Sequence, residues 1–255
     1  MQGLGNDYIY VDVRNRNIED PAALSVRLSD RHFGIGADGL VLIGNSNVAD
    51  FSMRMFNADG SEGRMCGNAA RCIGKYVYDK GLTEKTVFTL DTLSGIKTIT
   101  LHPSEGTVSV GMGPFARTGA PSAVCGYAGT GISMGNPHYV MFVPDCETVE
   151  LTSAGPRIEH SPEFEGGVNA EFASVLADGS IRMRVWERGS GITLACGTGA
   201  CATAAAACLA GLAAFGSPVV IRMDGGFLTV TVDGKSAQVV MTGPAVTVFE
   251  GEVVL

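Results

Sequence analysis

The sequence predicts a mixed α/β (α+β) protein of two pseudo-symmetric halves. Each half is a curled, mostly antiparallel sheet wrapped around a central helix, with the active site between the halves. Three observations lead there. The segments CGNAARC from Cys66 and CGTGACA from Cys196 are near copies, 130 residues apart. The same offset carries Arg54-Met55-Phe56-Asn57 onto Arg184-Val185-Trp186-Glu187, and Gly5-Asn6 with Tyr8-Ile9 onto Gly135-Asn136 with His138-Tyr139, which marks an internal duplication. The stretch after Cys196 is apolar on nearly every side, and a helix of that kind must be enclosed by other elements.

Taken in order, residues 8–13 alternate and are rich in aromatic and β-branched side chains, predicting a strand, and residues 22–30 read as a short amphipathic helix. Strands follow at 39–43 and 51–57. Residues 57–63 are turn chemistry, 67–80 have helical apolar spacing, and Gly81 stands where a C-terminal capping glycine belongs. Residues 87–92, 96–101 and 107–112 predict an antiparallel meander. The Gly/Pro/Ala-rich stretch 111–122 is the junction, so the halves are placed at 1–114, completed by 245–255, and at 115–244. The second round has strands at 139–143, 169–176 and 181–187, a weak helix at 148–155, a turn at 188–191 and a helix from 197 to about 213. Strands at 218–223, 227–232, 238–241 and 246–249 supply the wrapping sheet.

Composition narrows the function. Of 255 residues, 45% are hydrophobic and 17% charged, which describes a folded globular chain, and no apolar run approaches a membrane span. A net charge of -8 argues against nucleic acid, whose phosphates demand a concentrated basic surface. No basic, apolar, cleavable leader opens the chain, so a cytoplasmic location and reduced cysteines are expected. Of the seven cysteines, Cys72, Cys125, Cys146, Cys201 and Cys208 read as packed and unreactive. His32, His102, His138 and His160 have no ligand spacing, so no metal is expected. Glycine pieces such as Gly3-Leu4-Gly5 and Gly111-Met112-Gly113 lack the strand-GxGxxG-helix context of a nucleotide site.

Cys66 and Cys196 stand apart because each precedes a helix. There a thiol meets the positive end of the helix dipole, and the amides of Gly67 and Asn68, or of Gly197 and Thr198, can hold a carboxylate. Two such starts facing one substrate suit inversion at a carbon α to a carboxylate: one thiolate removes the proton, the opposite thiol supplies another, and the amides stabilise the developing charge. No electron-sink cofactor is then required. A redox disulfide is the alternative for the pair, although neither cysteine belongs to a C-x-x-C motif. The offset also pairs Asn6 with Asn136, Asn57 with Glu187, and Gly39 with Asn169. Taken singly, an asparagine next to glycine is more often turn chemistry, and the correspondence between the halves strengthens the ligand reading. Glu187 and Arg188 suit an ammonium and a carboxylate, or form a surface ion pair. His138 either tunes a neighbouring thiol or packs against its strand.

Along nearly the whole chain, GLGNDYIYVD, DRHFGIGADG, NADGSEGRMCGNAARC, SMGNPH, VNAEF, ERGSGITLACGTGACA and MTGPA follow one another. This ordered set resembles the diaminopimelate epimerase family. The resemblance implies interconversion of LL- and meso-diaminopimelate without a cofactor, in lysine and peptidoglycan precursor synthesis, with Cys66 and Cys196 as acid and base. It implies catalytic importance for His138 and Glu187. It also implies substrate contacts from Asn6, Asn57, Gly67, Asn68, Asn136, Asn169, Glu187, Arg188, Gly197 and Thr198, and a possible homodimer. The alternatives are a related two-cysteine racemase acting on proline, hydroxyproline or histidine, and a non-catalytic amino-acid binder or thiol sensor. Two positions and the start of the motif depart from the pattern. Gly39 stands where glutamine is common, so one contact to the distal end of the substrate is expected to be absent or replaced by water. Ile192 stands where glutamate is common, and the strand that usually precedes GLGND is missing, so the first sheet is expected to lose an edge strand.

Overall fold

Alternating side chains set the strands. In Phe51–Asn57, Phe51, Met53 and Met55 are buried between Ser52 and the exposed Arg54, and Ile181–Glu187 repeats this with Ile181, Met183 and Val185 inward, the two-residue period of a strand. The computed structural model describes residues 1–254, and Leu255, the end of the predicted first half, lies outside the described residues. The chain divides into two units, one of Met1–Val110 with the segment from Gly243 onward, the other of Gly111–Thr242. Both divisions fall inside strands, Thr107–Pro114 and Gln238–Pro244, so residues 111–114 of the predicted junction are strand.

In the first unit the elements are β1 (Ile9–Asp12), α1 (Pro21–Ser29), β2 (Gly39–Gly44), β3 (Phe51–Asn57), α2 (Gly67–Asp79), β4 (Val87–Asp91), β5 (Lys97–His102) and β6 (Thr107–Pro114). The strands pair in that order, with β1 parallel to β2, β3 parallel to β4, and the other pairs antiparallel. Asp20 caps α1 by accepting from the Ala23 amide at 3.0 Å, and Pro21 occupies the first turn, where its missing N–H costs nothing. Leu40, Leu42 and Phe56 form a core with Ile9, Val11, Ala22 and Leu24; full burial of a leucine such as Leu40 stabilises by about 1.5–3 kcal/mol. Helix α2 packs on β5. Gly74 makes that approach possible, since a Cβ there would stand 2.9 Å from Ile99 Cγ2 and 3.0 Å from Val108 Cγ1.

The second unit repeats the plan with β7 (Thr130–Ser133), β8 (Pro137–Phe142), α3 (Leu151–Glu159), β9 (Asn169–Val175), β10 (Ile181–Glu187), α4 (Gly197–Leu209), β11 (Pro218–Met223), β12 (Gly226–Val232) and β13 (Gln238–Pro244). Again β8 is parallel to β9 and β10 to β11, with antiparallel pairs between them. Leu40 opposite Phe56 becomes Ala170 opposite Trp186 at the 130-residue offset, whereas Ile99 opposite Val110 becomes Val230 opposite Met241 at 131. The duplication therefore gained one residue between α4 and β11 relative to the first unit. Helix α4 touches every strand from β7 to β12, so sheet encloses it as its all-round apolar composition requires.

Both central helices end alike. Leu82 N–H donates to Val77 O and Gly81 N–H to Tyr78 O, while Leu212 N–H donates to Ala207 O and Gly211 N–H to Cys208 O, with both glycines at positive φ. This is the Schellman closure. It stops α4 at Leu209 and corrects the predicted end near 213. The weak helix predicted at 148–155 is a short 3₁₀ turn at Cys146–Thr148 followed by α3, which carries Pro156 inside it. The strand predicted at 246–249 is also corrected: only Val246 pairs, as a single bridge to Gln2. Gln2–Gly3 already folds back on Asn6–Asp7, so it offers no longer edge to extend that pairing. β1 borders the first unit's sheet, whereas its counterpart β8 is flanked by β7. Among the described residues no helix is long and apolar enough to cross a membrane.

Candidate active site

Cys66 is the N-cap residue of α2 in extended backbone, with φ -131° and ψ 123°, and Cys196 holds the same place on α4 with φ -119° and ψ 112°. In each case the sulfur lies at the helix end where amides lack intrahelical partners. In the first unit, Cys66 Sγ donates to Asn6 Oδ1 at 3.4 Å, which also accepts from Asn68 Nδ2 at 3.4 Å. Asn6 Nδ2 in turn donates to Asp38 Oδ2 at 2.8 Å, and Arg31 bridges Asp7 and Asp38. Asn68 Oδ1 accepts from Arg71 Nη2 at 2.9 Å, fixing the amide beside the cysteine. The predicted group Asn6, Cys66, Gly67 and Asn68 is thus brought together. Asn57 sits at the end of β3, opposite Gly39, donating to Ser61 Oγ at 2.9 Å and accepting from the Tyr8 hydroxyl at 3.5 Å.

Gly39 has a steric reason. A Cβ there would lie 2.1 Å from Phe56 O, 2.8 Å from Tyr8 Cε1 and 3.0 Å from Asn57 Cα. Backbone and the Tyr8 ring occupy the place where a side chain at this position would begin. Gly39→Ala is expected to destabilise by about 1–3 kcal/mol through overpacking, read from the denaturant midpoint. An unchanged midpoint would show that β2 and β3 separate freely.

In the second unit, Cys196 Sγ accepts from the Gly199 amide at 3.3 Å and lies 3.6 Å from Thr198 Oγ1. Asn136 Nδ2 donates to Thr198 Oγ1 at 3.3 Å, the equivalent of the contact between Asn6 and Asn68. His138 Nε2 is 3.1 Å from Asn136 Oδ1, and its Nδ1 is 2.6 Å from Glu171 Oε1. Glu187 accepts from the Thr193 hydroxyl and also bonds Cys196. Asn169 Oδ1 accepts from the Arg188 amide at 3.0 Å while its Nδ2 donates to Pro137 O at 2.8 Å, so this side chain ties the turn after β10 to β8. The Arg188 guanidinium reaches Gly166 O at 3.2 Å.

Electrostatics separate the cysteines. Burial pushes the Cys66 thiol up, but the Ala69 and Asn68 amides and the Arg71 charge pull it back. Cys196 is pushed well above the usual thiol range by burial and then by the charges of Glu187 and Glu171, against hydrogen bonds from Thr198 and Gly199. Burial raises Glu187 as well, against hydrogen bonds from Thr193 and Cys196. At neutral pH Cys196 is thus the more firmly protonated thiol.

Sequence reasoning missed two carboxylates. Glu159, at the end of α3, accepts from Trp186 Nε1 at 2.6 Å and from the Gly189 amide at 2.8 Å, gripping the turn that carries Glu187 and Arg188. Glu171 lies in the apolar run of β9, where a charged residue matching Val41 at the 130-residue offset was the available signal.

Two like-built α/β units, each with a cysteine capping its central helix, define a racemase and epimerase type of fold. The solved PhzF-family phenazine biosynthesis protein of Bacillus anthracis matches with a TM-score of 0.76 at 18% identity, covering 100% of this chain and 95% of that one. A probable proline racemase from Agrobacterium radiobacter K84 matches at 0.70 and 18%, covering 100% and 91%. The family model described as diaminopimelate epimerase matches residues 1–118 and 130–248. The diaminopimelate epimerase of Phocaeicola vulgatus is 53% identical over 271 residues, covering 99% of this chain and 96% of that protein. The chain belongs to the diaminopimelate epimerase family.

Proposed function

We propose that this protein is a cofactor-independent isomerase converting LL-2,6-diaminopimelate to meso-diaminopimelate, with Cys66 and Cys196 as the two bases. The observation that carries this reading is the matched pair of cysteine-capped helix starts. Inversion needs a base on one face of the α-carbon and an acid on the other, so the chemistry requires both sulfurs to reach one carbon. As one thiolate takes the α-proton, electron density moves into the carboxylate, where amides of Gly67, Asn68, Gly197 and Thr198 supply preorganised donors. The opposite thiol then delivers its proton to the other face. Glu187 suits the substrate ammonium, and Asn57, Asn169 and Arg188 suit the second amino-acid head, which proline or hydroxyproline lacks. A cytoplasmic location accords with seven free cysteines, and the assembly is taken to be a homodimer.

Exchange of the α-proton of LL-diaminopimelate with deuterated water, together with its conversion to the meso isomer, is the test. No exchange by reduced, folded protein overturns the reading, and exchange on proline alone transfers the chain to a different racemase activity.

The asymmetry between the thiols makes Cys66 the resting base and Cys196 the resting acid. A group whose proton is held to higher pH stays neutral longer, so the Cys66 thiolate forms first as pH rises. Iodoacetamide labelling followed by peptide mass spectrometry is expected to reach half its maximal rate at lower pH for Cys66 than for Cys196. The reverse order overturns the assignment.

A further inference from the structure

Glu171 lies midway along β9, fully buried between the apolar Ala170 and Phe172. An ionisable side chain there is costly unless paired, and a carboxylate left half-paired is worse than an apolar residue of the same size. Yet Glu171 and His138 side chains are both 0% exposed, with Oε1 and Nδ1 2.6 Å apart. The second oxygen, Oε2, is buried and has no hydrogen-bond partner among the described residues. All hydrogen bonding by this carboxylate is therefore spent on one ring nitrogen.

The contacts continue from the ring to the sulfur. His138 Nε2 faces Asn136 Oδ1 at 3.1 Å, and Asn136 Nδ2 donates at 3.3 Å to Thr198 Oγ1, itself 3.6 Å from Cys196 Sγ. With Oδ1 an acceptor on one side and the carboxylate an acceptor on the other, both ring nitrogens have something to donate to. Glu171 also touches the cysteine's helix directly. A Cβ on Gly199 would stand 2.9 Å from Glu171 Oε1 and 3.2 Å from Cys196 Sγ, so the carboxylate lies against the first turn of α4. Glu171 from β9 and Glu187 from β10 face the ring, charge on His138 and Glu171 is felt at Glu187, and charge on Glu187 and Glu171 is felt at Cys196 on α4.

We propose that Glu171 is a positioning residue that holds His138 doubly protonated, donating to Glu171 through Nδ1 and to Asn136 through Nε2, and thereby fixes Asn136 and Thr198 beside Cys196. This rests on the proposed epimerase reading. The ring's positive charge offsets the buried carboxylate, so the pair is neutral as a unit, and its orientation dictates which end of the Asn136 amide meets Thr198. Replacing Glu171 by glutamine removes the charge while keeping the volume. The ring then loses one proton, Nε2 becomes an acceptor, and the Asn136 amide must turn over to satisfy it, leaving Thr198 to face an oxygen in place of an N–H.

Nitrogen NMR of the full chain labelled in its histidines tests the protonation state without reference to turnover. In the wild-type protein the His138 ring, assigned by comparison with His138→Gln, is expected to show two protonated nitrogens at neutral pH. In Glu171→Gln one of them becomes unprotonated. An unprotonated ring nitrogen in the wild-type protein overturns the proposal, even where the protein epimerises its substrate normally. Kinetics supply the second arm. Glu171→Gln is expected to lower kcat about 100-fold with KM little changed, at an unaltered thermal midpoint. A kcat within about twofold of wild type overturns the positioning role. Absence of α-proton exchange in the wild-type protein, by contrast, overturns the epimerase reading and leaves the ring assignment to the NMR result.

Discussion

Cys66→Ala and Cys196→Ala are each expected to lower epimerisation by at least about 10³-fold while the protein remains folded. Each direction of the reaction needs one sulfur as base and the other as acid, so neither variant retains a complete pair. The folding expectation follows from the environments. Cys66 is only partly buried, and its hydrogen bond is the weak donation of a thiol to Asn6. Cys196 is buried, but its loss frees a Gly199 amide at a helix start, where an amide already lacks an intrahelical partner, and Glu187 keeps the Thr193 hydroxyl. Any α-proton exchange that survives is expected to retain configuration, because proton removal and return then occur on one face. Isomer ratios and deuterium content measured on the same samples separate these outcomes. Turnover within about tenfold of wild type in either variant would count against two-base chemistry.

Arg71→Ala is expected to cost about 3 kcal/mol of stability, combining a buried cavity with hydrogen bonds lost to buried acceptors. Arg71 is fully buried on α2, with Nε donating to Pro244 O at 3.1 Å and Nη2 to Asn68 Oδ1 at 2.9 Å. It therefore fastens the segment after Gly243 to the helix of the first unit and orients an amide beside Cys66. Its guanidinium also lies 2.9 Å from the position of a Cβ on Gly3, so the glycine of the opening motif makes room for it. The thermal midpoint should fall by roughly 6–12 °C for a chain of this size. Arg71→Lys recovers little, because a single ammonium does not reproduce a fork directed at two acceptors. A midpoint within about 2 °C of wild type would show that Pro244 and Asn68 are held by other means.

Much of the site was legible because the duplication turns isolated polar residues into matched ones. Asn6 and Asn136 are ordinary turn residues taken singly, yet each reaches the second helical residue of its unit, Asn68 or Thr198. Boundaries were less legible. The strand expected at 246–249 had suitable side chains, but a strand needs an edge to pair with, and Gln2–Gly3 was already committed to its own hairpin. The helix predicted to reach 213 ended where Gly211 adopted positive φ, a choice that apolar composition does not report. The role of Gly39 was hidden because Phe56 reaches it from β3 and Tyr8 from just before β1, contacts that no local pattern reports.

By itself the sequence determined the repeated architecture, the two cysteines and their place at helix starts. All of these are written in local periodicity or in self-similarity along the chain. The tertiary structure decided which groups govern those cysteines. Glu171 meets His138 across 33 residues, Glu159 meets Trp186 across 27, and Arg71 meets Pro244 across 173. Such contacts depend on strand register and helix packing, which bring together side chains that no local pattern connects.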